Sequence, residues 1–278
     1  MAKMPVLSVF ALIICLSNAC KTPTPAVEEV VQNEKHYDLS LKVRDLEPDK
    51  LNNLYIIIES NKIQNFDTNL ELKYEFSNKR YGNLTNLDLR DPLRILVFID
   101  DFDQLLFLDN TLSLIGELRL SDLGYTDVTA ACRSNDDKIW IFDRAMRKLI
   151  KIDELGNKIL ESSVFEDYGV ENAAPFKMIE AENSLVLADK NQGILLFDNL
   201  GQYSKKFQIT NAVDLQFNGK VLYTYDGKSL KMVKLNFAIP TTIGFPIEFR
   251  IGNLQNIKLT PENWYGIYPE GVEIMSRN

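Results

Sequence analysis

From about Leu54 to the C-terminus the chain is a succession of short apolar runs rich in Ile, Leu, Val, Phe and Tyr, broken by Asn, Asp and Gly. No stretch of helical length keeps a period near 3.6, so the pattern predicts strands throughout. The runs come in pairs: 54–59 with 62–67, 95–100 with 105–109, 138–143 with 148–153, 185–189 with 194–198, 221–226 with 230–236, and 264–269 with 271–276. The polar residues that close the second run of each pair, Asp67, Asp109, Asp153, Asp198, Asn236 and Ser276, recur at steps of 38 to 45 residues. A further run follows the pair, as at 70–76 and 114–120, and a shorter one precedes the next, at 87–89, 128–132, 176–181, 213–217 and 257–260. Four strands per repeat of this length is the blade of a β-propeller, whose radial packing leaves only short, protected sheet edges. The fold expected is all-β, a six-bladed propeller of four-stranded antiparallel blades, with five or seven blades as the alternatives.

The sixth repeat stops at Asn278, just after its second visible strand, and would leave a sheet edge open. The alternating run 36–43, beginning at His36, belongs to no repeat of its own. Pairing of this N-terminal segment with the last blade would close the ring.

The repeated unit, clearest over 138–156 and 185–201, is an apolar strand ending in Asp, a short turn, and a second strand ending in Asp and followed by Leu-Gly. It resembles NHL-type and related bacterial six-bladed propellers over roughly residues 37–278. Some propellers similar to these, the lactonase-like hydrolases, hold a divalent cation in the central channel with carboxylates from several blades. The resemblance makes Asp88, Glu180 and Asp214 the residues at the matching place in the repeat, beside Ala130, Ala131 and Leu259, which offer no ligand.

The first residues change the picture of where the domain works. Lys3 and the α-amine precede an apolar run, 5–16, and then small or polar residues lead to Cys20. This is export-signal anatomy, and the run is well short of the roughly 20 residues that a membrane-spanning helix needs. Ser17-Asn18-Ala19-Cys20 resembles a bacterial lipobox, while Cys15 follows the β-branched Ile14 where a small residue is required. An ordinary signal peptidase could also cut before Cys20 and release a soluble protein. Lys21 in place of Asp after the cysteine implies, by resemblance to other lipoproteins, the outer membrane facing the periplasm. Residues 21–35 alternate Pro with small polar residues and read as a tether. The organisation expected is a lipoprotein signal peptide over 1–19, a lipidated Cys20 with its tether over 20–35, and the propeller over 36–278.

Composition and charge narrow the chemistry. With 45% hydrophobic residues the chain can fill a core, and 31 Lys and Arg against 39 Asp and Glu give a formal charge of −8, which disfavours nucleic acid. The one histidine, His36, removes chemistry that needs an imidazole pair or a Ser-His-Asp triad. The recurring aspartates are read as turn formers, which bond the amides of their own turns. No calcium-loop pattern, phosphate-cradling glycine loop or zinc-spaced cysteine pair is present in the sequence. Cys132, in the run 128–132, is expected as a buried structural thiol. Tyr125 and Tyr168, in consecutive connections between repeats, are expected to be exposed on one rim as part of a contact surface. The function expected is a non-catalytic, protein-binding scaffold of the cell envelope, with no cofactor, held to the membrane by its lipid and binding envelope proteins but not nucleic acid. The alternative is a ligand-binding or lactonase-like hydrolytic propeller with a divalent metal in its channel.

Overall fold

In a computed structural model, residues 36–59, 61–77, 80–218, 221–235, 240–249 and 251–277 are described, and they contain twenty-four strands in six four-stranded antiparallel sheets. β1 (His36–Leu39) comes first in the chain. Blade 1 follows, with β2 (Val43–Pro48), β3 (Leu54–Ile58), β4 (Lys62–Phe66) and β5 (Leu72–Ser77). Blade 2 has β6 (Asn86–Asp88), β7 (Ile95–Ile99), β8 (Gln104–Leu108) and β9 (Leu114–Arg119). Blade 3 has β10 (Val128–Arg133), β11 (Ile139–Asp143), β12 (Lys148–Ile152) and β13 (Lys158–Glu161). Blade 4 has β14 (Lys177–Ala181), β15 (Ser184–Asp189), β16 (Gly193–Asp198) and β17 (Tyr203–Phe207). Blade 5 has β18 (Gln216–Asn218), β19 (Val221–Tyr225), β20 (Leu230–Lys234) and β21 (Thr241–Ile243). Blade 6 has β22 (Asn256–Leu259), β23 (Asn263–Tyr268) and β24 (Gly271–Ser276), and its outer strand is β1.

The six-bladed, all-β fold expected from the repeat is the fold observed, closed by its two ends. β1 lies antiparallel on β24 with His36 opposite Met275 and Leu39 opposite Val272. One detail differs: the alternating run 36–43 is not a single strand. It breaks after Leu39, so that β1 completes the last blade, and the chain re-enters at Val43 as the inner strand of blade 1. The expected strand over 213–217 likewise begins only at Gln216. Segment 1–35, on which the expected signal, lipidated Cys20 and tether fall, lies outside the described residues.

Each blade is sandwiched between two others, so its middle strands are buried on both faces and read as unbroken apolar runs. β7, Ile-Leu-Val-Phe-Ile, is buried at every position, whereas the outer strand β9 is exposed or half-buried throughout. The cores sit between blades. Leu96, Phe98 and Leu105 of blade 2 pack with Ile139, Ile141 and Ile150 of blade 3.

The recurring aspartates are turn formers. After the third strand of blades 1 to 4, Asp67, Asp109, Asp153 and Asp198 each accept, through Oδ1, the N–H groups two and four residues on, at 2.8 to 3.0 Å. The fourth residue of each turn is left-handed, with φ of 62° at Leu70, 60° at Leu112, 86° at Gly156 and 77° at Gly201. A left-handed leucine costs about 1–2 kcal/mol. At Leu112 the side chain is buried between blades 1 and 2, and burial of a leucine, about 1.5–3 kcal/mol, offsets the strain.

The seam can be tested at a single atom. A β-carbon on Gly271 would run into the carbonyl oxygen of Leu39, a backbone group that cannot rotate away. Gly271→Ala is expected to push β1 off β24 and to cost about 1–3 kcal/mol, the range for overpacking. A denaturant midpoint equal to that of the parent chain would contradict this closure.

Candidate functional site

The first strand of every blade borders the axis of the ring, and all six contribute to one cavity of about 600 Å³. Lys50, Arg90, Asn135, Glu182 and Pro261, which follow inner strands, line it as well, so it opens on the side where those strands end. Toward the other side, Asn86 Nδ2 donates to the carbonyl of Phe176 at 2.9 Å and Thr129 Oγ1 to that of Pro175 at 2.7 Å, tying blades 2, 3 and 4 together. The walls mix apolar groups, among them Ala131, Met178, Leu215 and Leu259, with charged ones.

Two of these, Glu47 and Lys177, belong to a buried ion cluster drawn from four blades. Lys258 on β22 is fully buried, and its Nζ lies 2.6 Å from Glu47 Oε1, 2.9 Å from Asp214 Oδ2 and 3.6 Å from Asp45 Oδ1. Lys177 at the start of β14 binds Asp214 Oδ1 at 2.6 Å and also pairs with Glu47. Asn256 Nδ2 adds a bond of 3.1 Å to Asp214. Burial works against the charge on both lysines, but Asp214 and the other carboxylates outweigh it and hold the two ammonium groups above the ordinary lysine range. Burial would raise Asp214, yet Lys177 and Lys258 together hold its carboxyl well below the usual carboxylate range. For Glu47, burial exceeds the pull of the same two lysines, and its carboxyl is raised. Three carboxylates face two ammonium groups here, and Glu47 is the one that burial raises.

The three carboxylates that the resemblance to lactonase-like propellers singles out are each held by protein groups. Asp214 belongs to this cluster. Asp88 accepts the N–H of Arg90 at 2.9 Å and, from the next blade, that of Arg133 at 2.8 Å. Glu180, buried, accepts the Ser134 hydroxyl at 2.6 Å, the Trp140 indole N–H at 2.5 Å and the Asn135 N–H at 3.2 Å, all from blade 3. Among the described residues no three His, Cys, Asp or Glu side chains converge as metal ligands would.

Tyr125 and Tyr168 lie on consecutive connections between blades, as expected, on the side where inner strands begin and opposite the cavity mouth. The expected exposure of Tyr125 is corrected: its ring is buried in the core between blades 2 and 3. The loop folds back on itself, with the N–H groups of Leu123 and Tyr125 both donating to the carbonyl of Leu120, and this carries the ring inward. Tyr168 is half-buried, stacked on Tyr203 with ring centroids 5.3 Å apart and edge-on to Phe197 at 5.7 Å. Cys132 is buried, which pushes its thiol up beyond the ordinary cysteine range. The cluster of Lys177 and Lys258 is what sequence reasoning missed. Its one local sign is a lysine in each of two inner strands that are otherwise largely apolar.

No protein-family model matches the chain, and no curated protein sequence does. Solved structures do. Virginiamycin B lyase from Staphylococcus aureus superposes with a TM-score of 0.65 at 11% identity, covering 88% of this chain and 100% of that one. A streptogramin B lyase gives 0.62 at 12% identity, over 88% and 97% of the two chains. The WD40 domain of Pan2 from Neurospora crassa gives 0.59 at 9% identity, over 85% and 89%. At these identities the likeness is one of fold.

The cluster makes a stability prediction with two parts. Lys258→Met leaves Asp214 and Glu47 buried with one lysine between them, and should cost about 3–5 kcal/mol in urea denaturation, the range for breaking a buried ion pair. Asp214 is depressed in the folded chain, so its contribution is present above its ordinary value of 3.8 and is lost as the pH falls below it. The lysines are raised, so theirs is present below 10.5 and is lost as the pH climbs above it. Asp214→Asn should therefore show a shallower loss of thermal midpoint on acidification than the parent. Parallel acid limbs would contradict the assignment.

Proposed function

We propose that the chain is a binding module of the cell envelope: a propeller that holds a protein partner without turning over a substrate. In this reading a lipid on Cys20 keeps it at the outer membrane, facing the periplasm, with residues 21–35 as its tether. The observation that carries the non-catalytic half is the commitment of the channel carboxylates. Asp88, Glu180 and Asp214 each spend their oxygens on neighbouring strands or on the buried lysines. An active site needs polar groups that converge on a substrate and are free to act on it. Replacement of a histidine by alanine leaves the Staphylococcus aureus lyase catalytically inactive. The one histidine of this chain, His36, stands on β1, the outer strand of blade 6, away from the strands that border the axis.

Three measurements test the reading together. Cys20→Ala should abolish incorporation of labelled fatty acid and release the protein from membranes. Photo-crosslinking residues placed at Lys50, Glu182 and Phe102, which sample both sides of the ring, should capture an envelope protein from at least one position. Purified chain should carry no stoichiometric divalent metal and should not hydrolyse lactones or esters. A bound metal with hydrolysis overturns the module, as does the absence of any captured protein, and a membrane-bound Cys20→Ala chain overturns the anchor.

A further inference from the structure

Four turns on the side where the channel opens share a leucine at one position. In Asp49-Lys50-Leu51, Asp91-Pro92-Leu93, Asp153-Glu154-Leu155 and Asp198-Asn199-Leu200, the aspartate Oδ1 accepts the leucine N–H at 2.8, 2.9, 2.9 and 2.9 Å. The first two turns follow first strands and the last two follow third strands. First and third strands of a meander run the same way, so all four turns leave their sheets on the side of the cavity mouth. They belong to four consecutive blades, and Leu93 and Leu155 adjoin the two ends of one ion pair, Arg94 to Glu154 at 2.5 Å.

These leucines are not needed by the fold. They are 73%, 65%, 79% and 61% exposed, and of the other exposed large apolar residues among those described only Ile247 reaches that range. The same turn is made with Asn69 after Asp67 and with Thr111 after Asp109, so the hydrogen bond is indifferent to the side chain placed there. Exposed apolar residues scattered singly need no explanation, but apolar residues gathered on one face mark an interaction site.

Charge selects what covers them. Asp136, Asp137, Glu182 and Glu262 are exposed on this side against Lys50 and Arg94, of which Arg94 is already paired with Glu154, with Lys138 and Arg90 half-buried, and the whole chain carries −8. A second copy of the chain or an anionic lipid surface would be repelled, whereas a cationic partner is attracted. We infer that this face docks a protein segment in which leucine-like side chains alternate with lysine or arginine. The inference rests on the binding-module reading and names the surface and partner chemistry of that module.

The test uses the chain and a variant with Leu51→Asn, Leu93→Asn, Leu155→Asn and Leu200→Asn combined, asparagine being the residue the turn at Asp67 already carries. Its unfolding midpoint should match that of the parent. The probes are short fluorescent peptides alternating leucine with lysine, leucine with glutamate, or serine with lysine, and vesicles of phosphatidylcholine. The leucine–lysine peptide should bind the chain, about tenfold or more tighter than either other peptide and than it binds the variant, a difference of about 1.4 kcal/mol or more. Equal binding by parent and variant overturns the proposal, as does equal binding of the glutamate peptide. Leucine-dependent binding to vesicles in place of peptide overturns it in favour of a lipid surface. If no peptide binds but crosslinking captures the same protein with parent and variant, the surface is wrong and the binding module stands. If neither peptide nor protein is captured, both fail.

Discussion

Each inner strand of this ring is an edge strand, hydrogen-bonded to its own blade on one side only, and the free sides meet around the axis. Backbone groups turned toward that axis must find partners, because buried without them they cost more than most contacts return. Polar side chains of neighbouring inner strands supply them. Gln216 donates to the carbonyl of Ile257 and accepts the N–H of Leu259, and Asp88 accepts the N–H of Arg133. Lys177 with Asp214 joins blades 4 and 5, and Lys258 with Glu47 joins blade 6 to blade 1. The last of these spans 211 residues and fastens at the axis the seam that β1 and β24 fasten at the rim.

The same constraint engages the carboxylates of the channel. Asp88, Glu180 and Gln216 bond backbone or side chains of a neighbouring blade, and Asp214 binds lysines of two others. The buried ion cluster follows this logic at higher stakes. Desolvating charged groups is expensive, and their mutual attraction offsets that cost only where geometry and hydrogen bonding are good, as in the contacts of Lys258 and Lys177 with Asp214. What the cluster defines is the mutual position of four blades.

How much of this could be read from the sequence depends on distance along the chain. The turns at Asp67, Asp109, Asp153 and Asp198 bond amides two and four residues away, so they recur as a visible period and deliver the blade count. The seam was legible for a related reason, since a last blade lacking a strand and a spare strand at the other end must be counted together. The split of 36–43 was not, because alternation persists across the break from β1 to β2. Burial of Tyr125 depends on a loop folding inward, which no periodicity records. Glu47, Lys177, Asp214 and Lys258 come from four different repeats, and only closure of the ring makes them neighbours.

Closure by β1 also decides how the molecule meets mechanical load. His36 opens β1, so tension applied to the chain from its N-terminal side enters the ring at the one outer strand not continuous with its own blade. Pairing with β24 and the packing of Leu39 on the core between blades 6 and 1 are what resist it there. Strain that strips this strand leaves blades 1 to 5 chain-continuous and exposes the outer edge of β24, a template on which an extended strand from another polypeptide can add. The ring therefore has a built-in clasp, and the segment upstream of it is the handle.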